Sequence, residues 1–380
     1  MTDEQIAELI ETKLNEYFKN KKKSSSLKEL YAELAADLNA AVQDKVKNQI
    51  PPQVAVEQAF EEVGDLQQLV DQTASEAADL TSKVSQASLF NDGFFDNQFN
   101  DQLPLVNEKE FAADSLNELI VNCLQAQVKI LPLQDKNSRK ILVREFMNFN
   151  NSAYYARFEQ SGGQLLIKQG KTPFLIPLKV QLQIQVPADF AGKLTISETK
   201  GSAAIERLNA LKNVVLQIKS GEAEIKNTRM QQLNGKILSG SCQLDSVKTD
   251  QLLALQVSSG SARLTAVTAQ NFDIKVQSGR IKGEQLTGKG SFQVASGMLK
   301  LIFSALNGDL LLAVKSGSIK ATLPATATYR YDLKALNGRI KAPNQAETLH
   351  QAMGHQSGQI GADPKYLVRG ETISGTIKIS

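Results

Sequence analysis

The sequence predicts two parts of different class, a small α-helical bundle over residues 1–90 and an all-β solenoid repeat domain over residues 115–380. Three observations carry this. Apolar residues recur at 3.6-residue spacing through the front of the chain. A Ser-Gly or Asn-Gly pair recurs about every twenty residues through the back. The residues beside each pair alternate apolar and polar, as half-buried strands do.

In the front, Ile6, Leu9, Ile10, Leu14 and Phe18 share one helical face. The basic run Lys19 to Lys23, interrupted by Asn20, favours a helix C-terminus. Ser26 and Glu29 have capping-box spacing ahead of Leu27, Leu30, Tyr31, Leu34, Leu38 and Val42. Pro51 and Pro52 open a third helix, where a missing N–H costs nothing. Gly64 closes it, and Asp65 caps an expected fourth through Leu66, Leu69, Val70, Ala77, Leu80 and Val84. Residues 91–114 read as a linker rich in Asn, Asp and Gln. Phe90, Phe94, Phe95 and Phe99 punctuate it, either docking on a neighbouring domain or touching a membrane or partner.

In the back, Gly221, Gly240, Gly260, Gly279, Gly297, Gly317, Gly338, Gly358 and Gly375 follow one another at 17 to 21 residues, and Gly201 extends the series backward. Three residues before the glycine stand Ile218, Ile237, Val257, Val276, Val294 and Val314. Two after it stand Ala223, Cys242, Ala262, Ile281, Leu299, Ile319, Ile340, Ile360 and Ile377. Five steps separate these columns, and an odd count would put them on opposite faces of a straight strand. Both are apolar, so the chain turns a corner at Ser-Gly. The expectation is two short strands per repeat, with glycine supplying a positive φ at the corner. Where one column is small the next is large, as in Ile319 and Ala321, which a stacked core requires. Ten repeats of one rung each would rise roughly 48 Å. Residues 111–200 read as the capped entry to the stack.

Charge is asymmetric. The formal net charge of +3 divides into −8 over residues 1–92, −3 over residues 93–110 and +14 over the rest. Cys123 and Cys242 lie far apart in no metal or redox spacing. The N-terminus has no basic and apolar signal-peptide pattern, and no stretch approaches a membrane span. This leaves a cytoplasmic place, or a peripheral one at the cell envelope, both open.

Parity places one charged column on the solvent face. Three residues after the glycine stand Arg263, Lys282, Lys300, Lys320, Lys341 and Lys378. In register, neighbouring charges about 5 Å apart would repel by about 0.8 kcal/mol per pair in water. Such a row suits an anionic membrane or wall polymer. Lysines also blunt sheet edges and keep a β surface soluble. Nucleic acid is disfavoured, since there is no Trp and few aromatics stand among the bases. Gly283 to Lys289 imitates a phosphate loop, but Gly290 stands where Ser or Thr would hold magnesium. His350 and His355 are the only histidines, five apart, and the corner serines recur as turn residues do. No catalytic residue, metal ligand or cofactor is expected.

Two resemblances sharpen this reading. Glu29-Leu-Tyr-Ala-Glu-Leu-Ala-Ala-Asp-Leu38, with Ala55, Ala59 and Phe60-Glu-Glu-Val-Gly-Asp-Leu66, resembles the HAAS helical signalling domain of Gram-positive bacteria over residues 5–72. That resemblance implies regulatory protein contact through residues 1–90. Leu182-Gln-Ile-Gln-Val-Pro187, Val276-Gln-Ser-Gly-Arg-Ile-Lys282, Val314-Lys-Ser-Gly-Ser-Ile-Lys320 and Ile373-Ser-Gly-Thr-Ile-Lys-Ile379 resemble the bacterial putative-adhesin family of β-strand repeat proteins, a family of unknown function. The combined architecture is similar to that of daptomycin-sensing surface proteins. The expected function is a non-catalytic, envelope-associated binding protein. A cytoplasmic stress regulator, its acidic helical domain masked by the basic β domain, is the second reading.

Overall fold

The computed structural model describes residues 2–19, 21, 25–63, 66–67, 70–71, 103–135, 137–172, 178–344 and 346–380. The chain forms two compact units, residues 1–94 with 171–178, and residues 95–170 with 179–380.

The first unit is helical. Helix α1 spans Asp3–Phe18, α2 spans Ser25–Lys47 and α3 spans Pro52–Val63. Thr2 caps α1 reciprocally: its hydroxyl accepts the Gln5 N–H, and the Gln5 side chain accepts the Thr2 N–H at 2.9 Å. The apolar stripes meet as the periodicity predicts. Ile6, Ile10 and Leu14 of α1, Leu34, Leu38 and Val42 of α2, and Ala55, Val56 and Ala59 of α3 are buried. Leu66 and Val70 are helical and buried. The rest of the expected fourth helix and the four linker phenylalanines lie outside the described residues.

The second unit is the stack. Each coil has a trailing arm that runs into the Ser-Gly corner and a leading arm that leaves it. Leu211–Ile218 is a trailing arm, and Glu222–Ile237 begins as the next leading arm and becomes the next trailing arm. Leading arms pair in parallel register with leading arms, as Glu222 with Ser241 and Ser241 with Ser261. Trailing arms do the same, as Ile218 with Ile237 and Ile237 with Val257. Both apolar columns are interior: Ile218, Ile237, Val257, Val276, Val294 and Val314 on one arm, Ile281, Leu299, Ile319 and Ile377 on the other. Phe272, Phe292 and Phe303 pile along the core with centroids 5.7 and 5.9 Å apart. The corner deduced from column parity is thus present.

Its cause differs from the expected one. None of the marker glycines has positive φ. In the five coils that follow Gly201, Gly221, Gly240, Gly260 and Gly279, left-handed residues stand six positions later at Arg207, Asn227, Ser246, Ala266 and Gln285, with φ from 47° to 58°, and they make a second bend there. Glycine is required at the first corner by close approach. A Cβ at Gly221, Gly240, Gly260, Gly279, Gly297 or Gly317 would collide with the carbonyl oxygen of the glycine one coil earlier. The corner serine acts between coils too. The hydroxyls of Ser220, Ser239, Ser259, Ser278, Ser296 and Ser316 donate to carbonyls of the preceding coil at 2.8–3.1 Å.

Three further expectations are corrected. Residues 91–114 are not all linker, because Leu105–Ala112 is a strand antiparallel to Lys140–Met147. That pair, with Val180–Val186, closes the entry edge of the leading-arm sheet by antiparallel pairing. Gly358 is not a corner. It lies inside His355–Ile360, which pairs antiparallel with Tyr329–Ala335 and Glu347–Ala352 and covers the far edge of the trailing-arm sheet. Ile360 therefore leaves the column assigned to it. Finally, spatial order departs from chain order: the rung of Gly375 inserts between those of Gly317 and Gly338.

Candidate functional site

The expected basic column assembles on the leading-arm sheet. Register pairs Arg263 with Lys282, Lys282 with Lys300, Lys300 with Lys320, Lys320 with Lys378 and Lys378 with Lys341. Six consecutive rungs therefore carry one cation each, and the late insertion exchanges the places of Lys341 and Lys378. Arg263, Lys300, Lys320 and Lys341 are exposed, and Lys282 and Lys378 are half-buried. Alternation explains this: Ala262, Leu264, Leu299, Leu301, Ile319, Ala321, Ile377 and Ile379 on either side point inward.

The same face carries two more columns. One residue after the glycine, these six rungs hold Ser261, Arg280, Met298, Ser318, Thr376 and Arg339, so Arg280 and Arg339 add charge beside the row. Five after it stand Thr265, Glu284, Ile302, Thr322 and Ser380. Glu284 is the one acid across these rungs. Its carboxylate pairs with Lys282 Nζ at 2.9 Å. The bond from Lys282, with the charges of Lys300 and Arg263, holds its carboxyl below the usual range. The face changes sign toward the entry, where Glu222 and Glu224 replace the bases, and Glu224 is buried with Lys226 Nζ at 2.8 Å.

Two grooves flank the arms. One of about 790 Å³ runs along the Ser-Gly corners from Ser220 to Ser318. The other, of about 900 Å³, crosses the outer face of the trailing arms between Gln256 and Leu336, with Ala295, Ala313 and Ile373 in its floor and Lys275, Lys315 and Lys334 around it.

The remaining candidates do not assemble into a reaction centre. Gly283 to Lys289 lies within the strand Arg280–Val294, with no helix after it. His350 and His355 do meet, centroids 5.0 Å apart, and His355 Nε2 bonds Asp332 at 2.8 Å on the hairpin cap. Among the described residues, no group of His, Cys, Asp or Glu could hold a metal ion. No helix of the described residues is long and apolar enough to cross a membrane.

One buried polar feature escaped the sequence reading. Glu198 occupies the column that later holds Ile218, Ile237 and Val257, three before Gly201, and it is 2% exposed. Its Oε1 accepts the N–H groups of Thr199, Lys200 and Gly201 at 3.1, 3.3 and 2.8 Å. Burial outweighs these bonds and raises its pKa to about 7. One coil earlier Gln169 caps the equivalent corner, accepting from Leu124, Gln125 and Ala126. The signal was available as an acid in an apolar column.

Known proteins place the β unit. The family model Toastrack DUF4097 matches residues 117–380. Crystal structures similar to this chain include a putative lipid binding protein from Parabacteroides distasonis, 17% identical, covering 72% of this chain and 96% of that one with a TM-score of 0.44. A putative adhesin from Parabacteroides merdae is 12% identical over 72% of this chain and 95% of its own, with a TM-score of 0.42. No curated protein matches. With the family model covering more than two thirds of its length, the chain belongs to the Toastrack DUF4097 family.

Proposed function

We propose that this chain is a non-catalytic, envelope-associated binding protein whose β unit holds an anionic surface or polymer through Arg263, Lys282, Lys300, Lys320, Lys378 and Lys341. The observation that carries this reading is the in-register stacking of six cations on consecutive rungs with only Glu284 to offset them. Like charges at rung spacing repel, so the row lowers the stability of the fold it stands on. A binding surface gains from that arrangement, because an anion laid along it meets a field that only Glu284 reduces. The helical unit, in this reading, makes the regulatory protein contact.

Binding of the full chain to phosphatidylglycerol vesicles and to heparin, each at low and high salt, tests the proposal. Salt-sensitive binding to at least one supports it. Failure to bind either one better than neutral vesicles overturns it.

A further inference from the structure

The shape of the charged face narrows the partner. We infer that the β unit binds a linear, hydroxyl-bearing polyanion laid along the stack axis, such as a polyol or sugar phosphodiester chain, and not the plane of a membrane. This rests on the proposed function and refines its ligand.

The first argument is the row's width. The column itself is a single file, one cation per rung with Arg280 and Arg339 beside two of them, and five rung intervals of about 4.8 Å make a line of roughly 24 Å. A single file matches a chain of charges. The columns beside it supply the second argument. A face built for the membrane interface carries aromatic or long aliphatic side chains next to its cations. Here no aromatic stands on the outer face of these six rungs, and the larger apolar residues are Met298 and half-buried Ile302. The other neighbours are mostly hydroxyls, Ser261, Ser318, Thr376, Thr265, Thr322 and Ser380.

The third argument is the corner groove, which runs parallel to the row and shares Ser261, Arg280, Met298 and Ser318 with that face. Each corner serine commits its hydroxyl proton to a carbonyl of the preceding coil, as Ser259 does to Leu238 at 3.0 Å and Ser278 to Ser258 at 3.1 Å. What these exposed oxygens still offer is lone pairs, so the line of corner serines accepts hydrogen bonds while the row beside it donates them. A bare polyphosphate satisfies only the row. A polymer with hydroxyls between its anionic groups satisfies both. Nucleic acid is a poorer fit, since the face has nothing on which bases would stack.

The test uses the full chain and soluble poly(glycerol phosphate) of graded length, with inorganic polyphosphate of equal charge, phosphatidylglycerol vesicles and single-stranded DNA as comparators. Calorimetry is expected to show poly(glycerol phosphate) binding several-fold tighter than polyphosphate or DNA, with affinity rising with length until the polymer covers the row and then levelling. Lys300→Glu with Lys320→Glu, both on the surface, is expected to lower affinity at least tenfold, while Lys236→Glu with Lys275→Glu on the trailing arms changes it less than twofold. Ser259→Ala with Ser278→Ala is expected to erase the preference over polyphosphate while leaving polyphosphate binding unchanged. Vesicle binding without polymer binding overturns this inference and leaves the proposed function standing. Polyphosphate or DNA binding as tight as poly(glycerol phosphate) overturns it as well. Binding to none of these probes overturns this inference, and binding to none of them nor to heparin removes both.

Discussion

Gly375 lies on Gly317, with the Thr376 N–H donating to the Gly317 carbonyl at 3.0 Å, and Gly338 lies on Gly375 in turn. The last corner in the chain is thus an interior rung. The segments Tyr366–Thr372 and Thr376–Ile379 each have a parallel neighbour on both sides. Removing residues 366–380 is therefore expected to break the stack in two and expose Leu312, Val314 and Leu333. Loss of a cooperative melt by circular dichroism is the expected outcome. A truncated chain melting within a few degrees of the full one would refute the interior placement.

Both bends favour glycine, so substitutions in opposite directions are expected to have opposite effects. Gly260→Ala forces a Cβ onto the Gly240 carbonyl, where backbone alone faces it, and about 3 kcal/mol of destabilisation is expected. Ala266 holds φ 52° with a side chain, so Ala266→Gly relieves strain and is expected to stabilise by about 1 kcal/mol. Urea unfolding of both variants checks the pair, and the contrast fails if both shift the midpoint the same way.

Glu198 makes stability depend on pH. Its folded pKa of about 7 lies above the ordinary carboxyl value of 4.5, so the folded state keeps a proton that the unfolded chain gives up first. Its contribution is complete below pH 4.5 and is lost as pH rises to about 7, a change of about 3 kcal/mol. Glu145 acts in the same direction, since burial raises its pKa although Ala156 N–H bonds its carboxylate at 2.9 Å. Glu198→Gln is expected to flatten the fall in melting temperature between pH 4.5 and 7. An unchanged slope would show that the group does not titrate in this range.

Neutralising the row should trade binding for stability. Lys300 has Lys282 and Lys320 as rung neighbours, so Lys300→Gln is expected to raise stability by about 0.5 kcal/mol at low salt and by less at high salt. Chemical denaturation at two ionic strengths measures this. A destabilised variant would mean that the lysine stem packs usefully on the sheet.

Both thiols should be silent. Cys242 is buried and its pKa is pushed up to about 12, and Cys123 is pushed up by burial and then by Glu198 and Glu145. Neither is expected to react with a disulfide reagent at neutral pH until denaturant is added. Rapid labelling of the folded chain would contradict this burial.

The sequence by itself determined the period, the corner and the outward column. These follow from side-chain alternation and from one residue type repeated at each turn, so Ile218, Gly221 and Lys282 could be placed from spacing alone. Tertiary structure decided the rest, because those features depend on neighbours distant in the chain. The glycines are required by the carbonyl of another coil. The corner serines recur as turn residues do, yet their hydroxyls bond across coils. The left-handed bend is held at residues as unlike as Asn227, Ala266 and Gln285, whose types share no signal. Gly358 keeps the spacing of a corner yet lies in a hairpin that caps the stack. The order of Gly317, Gly375 and Gly338 is set by which edges remain open when the chain returns. The row of cations was legible residue by residue, but only that return makes Lys320, Lys378 and Lys341 successive rungs of one unbroken line.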